Sequence, residues 1–195
     1  MKVAALILAA LPLLPQLTFA QIGSRPTPTA AAVAPTGGSL VTQGKSTRIP
    51  LSSFVNLERT FDGKLQATAD AAGPVDLLGA TRGIYLDGYG VVFTSEMGLI
   101  VTPTVNPFNQ TITDAQKTRV HSAKVSRLPA VRKAIQEMAR AVATNMAQIP
   151  ENQQVVIAVR LDYATWENTS GLPGLIVAKA DRRSAMANNI QLEEQ

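Results

Sequence analysis

The chain contains no cysteine and only one histidine, His121. Without cysteine there is no disulfide framework, thiolate metal site, cysteine nucleophile, CxxC redox pair or lipid-bearing lipoprotein residue. With a single imidazole, HExxH and other histidine-rich metal sites are excluded, and a Ser-His-Asp triad would have to use His121. The nucleophile-elbow pattern GxSxG and the SxxK pattern do not occur. Gly44-Lys45-Ser46 resembles the end of a phosphate loop, but Ser39 stands where the first glycine is required. The residues that follow, Thr47-Arg48-Ile49-Pro50, do not open a helix. Charged residues make up 16% of the 195 residues, against about 25% in an ordinary soluble domain.

What is present is apolar side chain, 46% of the sequence, and it is unevenly placed. Residues 1–20 read as a secretory signal peptide of bacterial type. Lys2 is followed by the run Val3 to Leu14, and then by a small-x-small site ending at Ala20, so cleavage is expected before Gln21. The apolar run is shorter than the roughly 20 residues that a membrane span needs, and Pro12 and Pro15 interrupt it. Loss of Lys2 leaves 17 basic residues against 14 acidic ones, a net charge of +3. So mild a charge does not suggest a nucleic-acid binder. Residues 21–50 are a Pro/Thr/Ala/Gly tract, too poor in large apolar groups to offset its ordering entropy, and read as a flexible linker.

An ordered domain is expected over residues 51–190, with 191–195 as a frayed tail. Phe54, Leu57, Phe61 and Leu65 recur at helical spacing, although Asp62-Gly63 would end that helix early. Asp87-Gly88 between two β-rich runs predicts a hairpin with a two-residue turn. Leu86 would then face Tyr89, placing Ile84, Leu86, Tyr89, Val91 and Phe93 on the core face. Thr113 and Gln116 form a capping box. The helix it opens carries Val131, Ile135, Met138, Val142, Met146 and Ile149 in a stripe, and Pro129 either kinks it or separates two helices. Val155 to Tyr163 and Leu175 to Ala180 read as a second hairpin, after which Asp181 caps a short helix. The fold class is α+β: an antiparallel sheet of about four strands, in two hairpins, packed against one or two long helices.

Three features are candidates for function. Basic residues gather between positions 113 and 140, and Lys117, Lys124, Arg127 and Arg132 are the candidate contacts for an anionic surface. The same residues also read as a solvated helix face. No aromatic residue interleaves with them, so the stacking platforms of a nucleic-acid binder are missing. Trp166, on a Gly/Pro-containing connection, is a candidate loop contact. Glu96 and Asp162 are expected on the polar face of the sheet, where a carboxylate pair would serve a hydrolase or a metal-dependent enzyme. His121, between Lys117 and Lys124, reads as a solvent-facing helical residue. Asn109-Gln110-Thr111 and Asn168-Thr169-Ser170 match the glycosylation sequon. The expectation is an exported protein, periplasmic or extracellular, that binds an envelope protein or an anionic surface. It needs no cofactor, and carboxylate-based hydrolysis is the alternative.

Overall fold

Apolar side chains repeating every three or four residues build the two principal helices. The computed structural model describes residues 49–103 and 111–195, all within the unit Gln43–Gln195. The signal-peptide reading, nearly all of the linker and the Asn109–Thr111 sequon fall wholly or largely outside the described residues. Helix α1 spans Leu51–Gln66 and buries Phe54, Leu57, Phe61 and Leu65. It runs past Asp62-Gly63, where the sequence suggested an early end, and Gly63 is exposed. Strands β1 (Asp76–Leu77), β2 (Arg82–Leu86) and β3 (Gly90–Gly98) follow. Helix α2 (Asp114–Asn145) opens with both hydrogen bonds of the Thr113–Gln116 capping box and contains Pro129 without dividing into two helices. Strands β4 (Gln154–Leu161) and β5 (Leu175–Asp181), helix α3 (Arg182–Met186) and strand β6 (Gln191–Glu194) complete the domain. The Asp181 carboxylate accepts from the Ser184 amide at the start of α3.

The sheet is mixed and six-stranded, in the order β1-β3-β4-β5-β6, with β2 also pairing β3. The expected four-stranded antiparallel sheet was too simple in one main respect. The two hairpins join through β3 and β4, which run parallel over Gly90–Met97 and Gln154–Leu161. Parallel neighbours need a crossover connection, and α2 lies in that connection. The expected frayed tail instead pairs with β5 as β6.

The first hairpin differs from expectation by one residue, with large effect. Leu86 pairs with Gly90 and Ile84 with Val92, so the turn has three residues. Gly88 and Gly90 both take positive φ, 76° and 137°. A one-residue shift turns every side chain to the opposite face. Ile84 and Leu86 therefore point outward, 56% and 42% exposed, and Tyr85 packs against the core. Gly83 is the inward neighbour of Phe93. A Cβ there would lie 2.4 Å from the Phe93 ring and 2.7 Å from Phe54. The aromatic side chains of α1 and β3 occupy that space, and the Phe61 and Phe93 rings meet edge to face at 4.9 Å.

The core lies between the helices and one face of the sheet. Val131, Ile135, Met138, Val142, Met146 and Ile149 are all buried, as the stripe predicted. They meet Val91, Phe93 and Met97 of β3, Val155, Ile157, Val159 and Leu161 of β4, and Ile176 and Ala178 of β5. Arg182 fastens the end of α2, donating to the carbonyls of Ala143 (2.8 Å) and Ile149 (3.1 Å). A cation at the Ala143 carbonyl, in the last turn of α2, also complements the helix dipole.

Candidate functional site

The four basic candidates on α2 do not form one solvated patch. The apolar stripe of α2 extends toward its N-terminus as Val120, Lys124, Arg127 and Val131, at spacings of four, three and four. Lys124 and Arg127 therefore point inward with Val120 and Val131, and are 1% and 0% exposed. A buried charge must be paired and hydrogen-bonded, and both are. The Lys124 ammonium pairs with the Glu167 carboxylate, both side chains being 2% exposed. It also sits 4.8 Å from the centroid of the Tyr163 ring. Burial, then the nearby Glu167 charge, pushes the Tyr163 phenol up to about 12, and its hydroxyl donates to the Pro173 carbonyl at 2.7 Å. This cluster holds the 162–174 connection against α2.

Arg127 fastens a second connection. It donates to the carbonyls of Leu99 (2.6 Å), Gly73 (2.7 Å) and Pro74 (3.3 Å), and pairs with the Asp70 carboxylate. Lys124 and Arg127 are therefore internal ties, and the reading of them as surface contacts is corrected. Arg132 is half-buried and clamps β6, making two bonds to Glu194 at 2.5 and 2.9 Å. That bond to Arg132 holds the Glu194 carboxyl below its ordinary value. Lys117 donates to Asp114, one turn away, at 3.1 Å.

The other candidates lie in separate places. Trp166 is half-buried on the tied connection. His121 Nδ1 lies 2.9 Å from the Asn168 carbonyl. A carbonyl only accepts, so Nδ1 carries the proton in that bond. Glu96 stands opposite Arg160 across the parallel β3–β4 pair, with 3.4 Å between their charged atoms. Asp162 is exposed just beyond β4, its backbone N–H donating to the Met97 carbonyl at 2.9 Å. Glu96 thus meets a guanidinium rather than a second carboxylate. Among the described residues no group of three His, Asp or Glu side chains could hold a metal ion, and no helix is long and apolar enough to cross a membrane.

The feature that the sequence did not single out is the outward face of the sheet. Register places its side chains in rows. One row reads Ile84, Val92, Val156, Lys179 and Gln191 across β2, β3, β4, β5 and β6; the next reads Arg82, Thr94, Ala158, Val177 and Glu193. A third brings together Glu96, Arg160 and Leu175. Both helices pack against the opposite face, and among the described residues no helix covers this one. Its middle is apolar, with Val92, Ala158, Val177 and Leu175 half-buried, and charges surround it. A groove of about 380 Å³ runs beside Arg82, Thr94, Glu96, Ala158 and Arg160. Beneath it, Thr81 joins the sheet edge to α1, its hydroxyl donating to Asp62 (2.6 Å) and meeting the Ser95 hydroxyl (2.7 Å).

Comparison with known proteins adds no relationship: no family model, curated protein or solved structure matches the chain.

Proposed function

We propose that this is an exported bacterial interaction domain, directed across the inner membrane by residues 1–20, that binds a partner through the outward face of its sheet and carries out no catalysis of its own. The observation that carries the reading is that face, on which Val92, Ala158 and Val177 form an apolar centre, with Ile84 at its β2 edge and Arg82, Glu96, Arg160, Lys179 and Glu193 around it. An apolar centre with a charged rim is the usual anatomy of a protein–protein contact. Lys124 and Glu167, Arg127 and Asp70, and Arg132 and Glu194 are engaged in holding the fold.

The test has two parts. N-terminal sequencing of the exported protein should find Gln21 first, and an uncleaved N-terminus in the membrane fraction would overturn the export reading. The exported protein and its Val177→Asp variant are then used as matched baits in envelope extract. The reading expects a partner that the wild type retains and the variant loses. Equal capture by both, with the variant folded, would remove the sheet face as the binding surface.

A further inference from the structure

We propose that the partner taken by the outward sheet face is a second copy of this chain, docked face to face about a twofold axis running along β4. This rests on the reading of that face as a binding surface and specifies what covers it.

Of the strands β2, β3, β4, β5 and β6, β4 is the middle one. A twofold axis parallel to β4, lying between two stacked sheets, places β2 of one copy over β6 of the other and β3 over β5. A twofold contact is self-complementary, so each residue pair occurs twice. The row Arg82, Thr94, Ala158, Val177, Glu193 has a cation at its β2 end and an anion at its β6 end. Strands about 4.8 Å apart put those two ends roughly 19 Å from one another within a copy. The twofold brings Arg82 of each copy over Glu193 of the other, with Thr94, Ala158 and Val177 between them; in the neighbouring row it sets Lys179 of each copy over Val92 of the other. Stacked sheets lie about 10 Å apart, with strand directions within about 30° of one another, a gap that long arginine and glutamate side chains span. The two Arg160 side chains approach near the axis, each already accompanied by its own Glu96.

The size is adequate for a modest dimer. The eight residues of β4 extend about 26 Å, and five strands give roughly 24 Å of width. Because β2 and β6 are shorter, with five and four residues, the footprint is near 500 Å² per copy, short of the about 800 Å² per partner that is standard for specific interfaces. The dimer is therefore weak and concentration-dependent.

Charge exchange tests the arrangement. Arg82 and Glu193 are exposed, so Arg82→Glu and Glu193→Arg should each leave the melting temperature nearly unchanged. Sedimentation equilibrium of the exported protein should show a monomer–dimer equilibrium. Each single variant places like charges at both ends of the interface and should dimerise roughly tenfold more weakly. An equimolar mixture of the two single variants should recover dimers, because every end then meets its opposite. The double variant should recover them too. A monomer at every concentration overturns the inference, as does a dimer indifferent to both exchanges or single variants that fail to complement one another. A monomer whose Val177→Asp variant loses a different captured protein refutes self-association and leaves the binding face standing.

Discussion

Replacing Arg127 with methionine distinguishes an internal tie from a solvated helix cation. Arg127 is fully buried. Its guanidinium serves the carbonyls of Leu99, Gly73 and Pro74 and the carboxylate of Asp70. Methionine matches the apolar stem but ends about where Nε stands, so the change removes Cζ and both Nη atoms of a buried side chain, and with them the donors. A buried acceptor left unsatisfied costs about 1–3 kcal/mol, and breaking a buried charge pair from one side costs about 3–5 kcal/mol. Two effects reduce the loss. Asp70 is partly exposed and regains water when its partner goes, and the Arg127 Nε, buried without a hydrogen-bond partner, no longer has to be desolvated. The expected net destabilisation of Arg127→Met is about 2–4 kcal/mol, a large share of the roughly 5–15 kcal/mol that holds a domain together. In a domain of this size the melting temperature should fall by about 10 °C. Arg132→Gln is the matched control; its pair with Glu194 is half-exposed, and its loss should cost no more than about 1 kcal/mol. Urea unfolding of the two variants beside the wild type reads both. An Arg127→Met variant within about 0.5 kcal/mol of wild type would refute the reasoning, since that is how a free surface residue behaves.

Other perturbations follow from the same packing. Met138→Asp puts a charge at the centre of the α2 stripe, where the side chain is 0% exposed; burying it costs several kcal/mol, and circular dichroism should show an unfolded or strongly destabilised domain. Gly90→Ala should destabilise the hairpin, because its Cβ would lie 2.0 Å from the Gln154 carbonyl oxygen at a φ of +137°. Gly63→Ala has open space at its Cβ and should raise stability by about 0.5–1 kcal/mol through the better helix former. The Asp70 carboxyl is held below its ordinary value first by the bond from Arg127 and then by the Ala72 amide. Its contribution is therefore complete above the ordinary aspartate value and is lost as pH falls through the lowered one. Asp70→Asn should make the acid limb of the stability–pH curve shallower; an unchanged limb would show that the pair contributes nothing.

The elements with strong periodicity were legible in the sequence. The α2 stripe, the Thr113–Gln116 box, the alternation of Val155 to Leu161 and the Asp181 cap all depend on neighbours a few residues away. What was not legible depends on distant partners. The parallel pairing of β3 with β4 has no local signature, and neither does the recruitment of Gln191–Glu194 as a sixth strand, which Arg132 secures through Glu194. The hairpin shift does have a local signal: Gly90 follows Asp87-Gly88-Tyr89, and a second glycine there permits a three-residue turn. Lys124 and Arg127 had one too. Their spacing continues the Val131–Ile149 stripe backwards, so their charge suggested solvent while their position indicated burial. The apolar part of the outward sheet face is not legible, because a two-residue turn puts Ile84 and Leu86 inside.

A photo-reactive amino acid in place of Val177, on the outward sheet face of the full chain in its own cells, tests most directly whether that face is a contact surface. Irradiation should give a covalent adduct with the mass of two chains. The same group in place of Arg140, exposed on α2, should give none. No adduct from position 177, or equal yields from both positions, would contradict the account.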